Sequence, residues 1–250
     1  MLEIVYSDET IIVINKPAGM LVHRSSVAPN ETVFAVQCLR DQIGMRVHPV
    51  HRLDKPTSGL LMFALDVETL KALQTQFTER SVEKGYWAVG RGYFPGAGTI
   101  DYPLKREVDA YSTSEPEGSQ RAVTHYRCLA QTELPYSIDR YPSTRYSWVE
   151  LRPETGRRHQ LRRHMAHLRH PIVGDTRHGV GVHNRFFREQ FGIHRLLLHA
   201  QKLSFQHPIN GSRITLTADT DEAFHKALTE TNLTSPTGAP SAHERLSPPM

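Results

Sequence analysis

Apolar and polar positions alternate in short runs along most of this chain, with a few stretches of helical spacing between them. Glu3–Tyr6 and the β-branched run Thr10–Ile14 flank the turn residues Ser7-Asp8-Glu9, so residues 1–23 read as a hairpin. Asn15–Gly19 breaks that ladder before Met20–His23 resumes an extended pattern. Lys16 there either shapes the turn or meets a phosphate. Residues 24–30 are polar loop, and Val33, Val36, Cys38 and Leu39 suggest a helix over 31–39 capped by Asn30. An apolar strand at 60–65 leads to Asp66, a cap for a helix over 67–80 whose buried face is Val67, Leu70, Leu73 and Phe77. The run 83–92 is a strand with Tyr86, Ala88 and Gly90 on one face and Trp87, Val89 and Arg91 on the other.

Residues 95–121, rich in Gly, Pro, Ser and charge, read as a surface excursion broken by a short strand at 99–102. Strands at 122–129 and 144–151 follow, separated by a loop over 134–143. Arg157–Leu168 has helical spacing, with Thr155 as cap, Leu161, Met165 and Leu168 on one face, and Arg158 and Arg162 flanking it. His170-Pro171 ends that helix. Residues 172–194 read as a turn and a Gly- and His-containing loop. An apolar segment at 195–200, a hairpin over 202–218 around Asn210-Gly211, and a short helix over 221–228 follow. From Thr229 the chain is polar and Pro-rich, which predicts a disordered tail over 229–250. Strands come in groups rather than in strict βαβ alternation. The expected fold is therefore α+β, with a central mixed or antiparallel sheet, flanking helices and one domain over 1–228.

Composition narrows the function. The 250 residues are 38% hydrophobic, enough for a sizeable core, and no run reaches the ~20 apolar residues of a membrane span. The N-terminus has neither the basic nor the apolar region of a secretory signal, and Cys38 and Cys128 sit in no metal spacing. A cytoplasmic, reducing location is expected. Residues 151–200 hold ten arginines and three acids, a net +7, which leaves −3 for the rest of a chain of net charge +4. One basic face meeting a nucleic acid accounts for this, as does a solvated helix face with its arginines paired elsewhere.

The stretch His51-Arg52-Leu53-Asp54-Lys55-Pro56-Thr57-Ser58-Gly59 places a carboxylate between cations, on a turn ahead of an apolar strand. Asp54 either caps that turn or acts chemically. Tyr86 is either a core residue with a bonded hydroxyl or a site residue. His159, His164, His167 and His170 invite a metal. Yet no HExxH, paired cysteine or carboxylate accompanies them between Arg157 and Gly174, and the arginines there repel a cation. Neither a phosphate-cradling glycine loop nor a Gly-x-Ser-x-Gly elbow is present.

His51–Asp54 with Thr57-Ser58-Gly59 resembles the signature of the RluA-type pseudouridine synthases. So do Lys84-Gly85-Tyr86, the segment Thr155–His164 with His159-Gln160-Leu161-Arg162, His170–Asp175, and Leu198-His199-Ala200 followed by His207-Pro208, all in family order. Val22–Ser25 and Arg140–Tyr146 narrow the resemblance to members acting on tRNA, at the uridine of position 65; the alternatives are a synthase acting on ribosomal RNA and a non-catalytic RNA-binding protein on the same fold. The resemblance implies the pseudouridine synthase fold, base flipping, and a reaction with no redox cofactor and no metal. It implies that Asp54 is the nucleophilic or basic carboxylate, that Arg162 is its ion-pair partner, and that Tyr86 stacks on the base and assists proton removal. Arg52 fills the space of the extruded nucleotide, and Leu161 and Leu198 line the pocket. Arg157, Arg158 and His159 are expected to grip RNA, as are loops 24–30, 105–120 and 134–145. The N-terminal S4-like domain of many relatives is not expected, and a monomer is.

Overall fold

The computed structural model describes residues 1–24, 31–107, 118–138 and 140–234. β1 (Glu3–Ser7) and β2 (Ile11–Lys16) form the expected hairpin. α1 (Ala35–Ile43) starts later than the 31–39 pattern suggests, because Phe34 is still extended and bridges to Leu21. Its expected cap, Asn30, lies outside the described residues. β3 (His48–Pro49) and β4 (Ser58–Ala64) bracket the Asp54 turn, and α2 (Val67–Thr78) is capped by the Asp66 carboxylate on the Thr69 amide at 2.7 Å. Leu73 is the buried centre of α2, whereas Val67, read as buried, is exposed.

β5 (Glu83–Arg91), β6 (Ala97–Asp101), β7 (Leu104–Lys105) and β8 (Ser119–Gln120) come next, β7 and β8 pairing apart from the main sheet. β9 (Val123–Leu134) runs well past the expected end at Leu129, because β10 (Thr144–Pro153) pairs along it from Leu134 to Thr124. α3 (Gln160–His167) is followed by α4 (Gly181–Phe191), a helix where a loop was expected. The inner face of α4 is His183, Asn184, Phe187 and Phe191, and its polar half hides the apolar period. β11 (Leu198–Gln206) and β12 (Arg213–Thr217) form the hairpin, and α5 (Glu222–Glu230) is capped by Asp221. Residues 229–234, expected to open a disordered tail, instead close α5 and bury Thr231 and Leu233; residues 235–250 lie outside the described residues.

The main sheet has ten strands, ordered β1-β2-β4-β11-β5-β10-β9-β6, with β3 on β4 and β12 on β11. Every pairing is antiparallel except β4 with β11, so the sheet is mixed and the fold is α+β as expected. Alternate residues feed opposite sides. Tyr146, Trp148 and Val89 meet Phe187 and Phe191 of α4 and Phe224 of α5, while Ala88, Val149 and Leu151 meet Leu161 and Met165 of α3. Among the described residues no helix is long and apolar enough to cross a membrane.

Candidate active site

The Asp54 turn is held from below. The Thr57 amide donates to the Asp54 carbonyl at 3.0 Å, and the Gly19 amide to the Lys55 carbonyl at 2.9 Å. Lys16 is fully buried, and its ammonium donates to the carbonyls of Pro17 (2.8 Å), Met20 (2.8 Å) and Lys55 (3.3 Å). Of the two readings of Lys16, the turn holds and the phosphate contact does not. Burial, and then Arg195, pull its pKa down to about 7.

All nine residues singled out from the sequence line one cleft of about 740 Å³: Arg52, Asp54, Tyr86, Arg157, Arg158, His159, Leu161, Arg162 and Leu198. The size suits a nucleoside-scale ligand. Arg162 is 6% exposed and grips Asp175 twice, Nε to Oδ2 at 2.7 Å and Nη2 to Oδ1 at 2.8 Å. Its remaining nitrogen, Nη1, donates to Asp54 Oδ2 at 3.2 Å. The fork therefore presents one fixed positive contact to Asp54. Asp54 is half-buried, and its second oxygen has no hydrogen bond among the described residues, so it remains available to a ligand.

Asp175, which holds Arg162, is not among the residues singled out from the sequence, although it stands in the His170–Asp175 segment. It is fully buried and its Oδ1 also accepts from the Arg177 and His178 amides, both at 2.9 Å. Burial raises its pKa, but the Arg162 contact and those amides outweigh this and hold it below the ordinary carboxylate value. Asn184 of α4 locks the turn by donating to the Asp175 carbonyl at 2.8 Å and accepting from the Gly174 amide at 2.8 Å.

Thr155 is not the helix cap. Its hydroxyl accepts from the Val123 amide at 3.0 Å and donates to Gln160 Oε1 at 2.7 Å. Gln160 returns to the Val123 carbonyl and the Thr124 hydroxyl, both at 3.0 Å, which fastens the start of α3 to β9. His159 takes the cap position with φ 53°, a left-handed conformation that a histidine tolerates at a functional turn. This orientation sets its Nε2 3.9 Å from Asp54 Oδ2 and its Nδ1 3.3 Å from Glu107. Burial lowers the His159 pKa despite the opposite pull of Asp54. Tyr86, on β5, packs beneath the cleft. Burial, and then the Asp54 charge, push its hydroxyl well above the ordinary value.

The ten arginines do not form the single basic face expected. Arg157, Arg158, Arg162, Arg163 and Arg177 gather around the cleft, whereas Arg185 and Arg188 stand on α4, across the sheet. Loop 134–145 joins the ends of β9 and β10 remote from Pro153, and Pro153 lines the cleft, so that loop lies at the far end of the sheet. Within the cleft wall, Glu107, His159 and His178 bring donor atoms within 4.8 Å of one another. Glu107 supplies the carboxylate that the helix segment itself lacks.

Residues 10–167 match the family described as RNA pseudouridylate synthase, and the chain belongs to that family of RNA-isomerising enzymes. Within it, the chain is 52% identical to tRNA pseudouridine synthase C of Vibrio parahaemolyticus, over 91% of this chain and 94% of that one. It is 50% identical to the protein of the same name from Yersinia pestis, over 92% of this chain and 91% of that one. The solved structure of human RNA pseudouridylate synthase domain containing 4 superposes with a TM-score of 0.68. It is 27% identical, over 92% of this chain and 93% of that one.

Proposed function

We propose that this enzyme converts a uridine of tRNA, at position 65 in the T-stem region, to pseudouridine. The relatives named above as tRNA pseudouridine synthase C support tRNA as substrate. The contact that carries the chemistry is Arg162 on Asp54 inside the cleft. In the isomerisation the C1′–N1 bond breaks, the uracil turns, C1′ bonds to C5, and C5 loses a proton while N1 gains one. Asp54 either adds to C1′ or takes the C2′ proton. Both routes need a carboxylate held in place, and the Arg162 contact holds it. A stacked base exposes neither C1′ nor C5, so the uridine must be flipped into the cleft. Arg52, exposed at the rim, occupies the vacated stack, while Leu161 and Leu198 present an apolar wall to the base. With its hydroxyl pushed upward, Tyr86 is protonated at neutral pH. It stacks on the base and, in this reading, assists removal of the C5 proton once the uracil has turned.

The test is tritium release from a tRNA transcript carrying tritium at uridine C5. Asp54→Asn is expected to lower turnover by roughly a thousandfold or more while RNA binding persists. Full turnover in that variant would sink the assignment. Mapping pseudouridine in total RNA from a strain lacking the protein decides the substrate. A missing tRNA position supports the reading, and a missing ribosomal position with intact tRNA overturns it.

A further inference from the structure

The segment 102–107 crosses α3 as a strap and reaches the cleft wall at Glu107. The Tyr102 ring stacks on His167, the His164 Nε2 meets the Tyr102 carbonyl at 3.0 Å, and Arg163 Nη1 donates to the Lys105 carbonyl at 3.0 Å. At its end the Glu107 carboxylate, 17% exposed, is surrounded by cations. Arg158 Nε lies 3.6 Å away, His159 Nδ1 3.3 Å, Arg163 Nε 3.8 Å and Arg177 Nη2 3.4 Å. None of these reaches the ~2.7–2.9 Å of a charge-assisted hydrogen bond. One carboxylate oxygen, Oε2, is buried with no hydrogen-bond partner among the described residues. Four cationic or basic side chains thus converge on one carboxylate without a close hydrogen bond to it.

A group of this charge density with a flat, two-oxygen occupant suits a phosphodiester better than a carboxylate. Phosphate offers anionic oxygens in a tetrahedral array and is the ligand that arginine forks recognise. Its place also fits. One imidazole ring, His159, separates Glu107 from Asp54, and a nucleotide's phosphate lies one sugar away from its glycosidic carbon. A metal ion held by Glu107, His159 and His178 is the competing occupant, but three arginines within 4 Å of the same carboxylate disfavour a cation.

We propose that Glu107 is a stand-in for RNA: Arg158, His159, Arg163 and Arg177 form a subsite for a backbone phosphate flanking the flipped uridine, and Glu107 leaves it when RNA enters. The inference rests on the RNA-modifying function proposed above, and it names one subsite of that cleft. Because the site is occupied from within, RNA must displace Glu107 to bind, and removing the charge removes that penalty.

Two measurements test this. Fluorescence anisotropy of labelled tRNA is expected to show Glu107→Gln binding about three- to tenfold more tightly than wild type. Equal or weaker binding identifies Glu107 as a structural clasp and overturns the proposal. Thermal melting with added inorganic phosphate is independent of RNA and of turnover, so it separates this subsite from the reading of the enzyme as a whole. Phosphate should raise the melting temperature of Glu107→Gln more than that of wild type, and Arg177→Ala in the same background should cancel the gain. Stabilisation of wild type by zinc chloride, with no phosphate effect on Glu107→Gln, would replace the phosphate subsite by a metal site and overturn the proposal.

Discussion

At the scale of single residues, the proposed catalytic arrangement is a series of groups each fixed by the next. Asn184 sets the Asp175 turn, Asp175 sets Arg162, and Arg162 sets the charge beside Asp54. The middle link carries the greatest cost if broken. Arg162 and Asp175 are both buried, so losing one partner removes the larger share of the other's compensation, leaving Arg162 only its single contact to Asp54 or Asp175 only its backbone amides. Asp175→Asn keeps the shape but removes the charge. We expect a loss of about 3 kcal/mol in urea denaturation and a fall in kcat of about tenfold or more, with a smaller change in KM. A variant of full stability and full kcat would show that Asp54 does not depend on this pair. The local pattern around Asp54, cations and turn formers, left it open between a turn cap and a chemical role, and the motif set of the family resemblance singled it out. Asp175 was harder to see. Its role comes from a contact thirteen residues away along the chain, with both partners sealed from water.

At the scale of elements, what counts is where the strands meet. β4 and β11 share only a short parallel contact, Ser58 with His199 and Gly59 with Ala200, yet it brings the Asp54 turn alongside Leu198. Gly59 has φ 109°, and a Cβ there would stand 2.3 Å from the Ala200 carbonyl oxygen. Only glycine serves both the conformation and the close approach. Gly59→Ala is expected to cost about 2–3 kcal/mol and to lower turnover as the cleft wall separates, read by chemical denaturation and tritium release together. The elements legible in the sequence were those whose pattern is local: the first hairpin, α2 with its Asp66 cap, β5, and the Asn210-Gly211 hairpin. α4 was missed because His183 and Asn184 occupy inward positions, spent on the Tyr146 hydroxyl and the Asp175 turn rather than on apolar packing. The cap of α3 was misplaced for a related reason. Thr155 has the chemistry of a cap, but β9 claims its hydroxyl.

At the scale of the whole molecule, the sheet is clamped by buried imidazoles, and this gives its stability a pH dependence of definite sign. His199 is fully buried between β4, β12 and α5. Its Nε2 meets the Ala218 carbonyl at 3.2 Å and its Nδ1 meets the Ser58 hydroxyl at 2.8 Å, while Arg195 Nη2 donates to that same hydroxyl at 2.8 Å. A chain of donors running Arg195 to Ser58 to His199 to Ala218 fits a neutral imidazole with its proton on Nε2. His51, stacked on Phe77, accepts from the Met62 amide through Nε2 at 3.2 Å and is neutral by the same logic. Burial, before any neighbouring charge, lowers both from 6.5 to about 4. Between those values the unfolded chain binds protons that the folded one refuses, so the contribution of these two imidazoles rises with pH across that window and is flat above it. The contribution is fully present above pH 6.5 and is lost as pH falls toward 4. For His199 alone it amounts to about 3 kcal/mol. Urea midpoints are therefore expected to fall steeply from pH 7 to pH 5, and His199→Gln, which has no titrating group, should flatten that fall. A midpoint unchanged between the two pH values in wild type, or a slope unchanged in the variant, would show that the imidazole network does not hold the sheet behind the cleft.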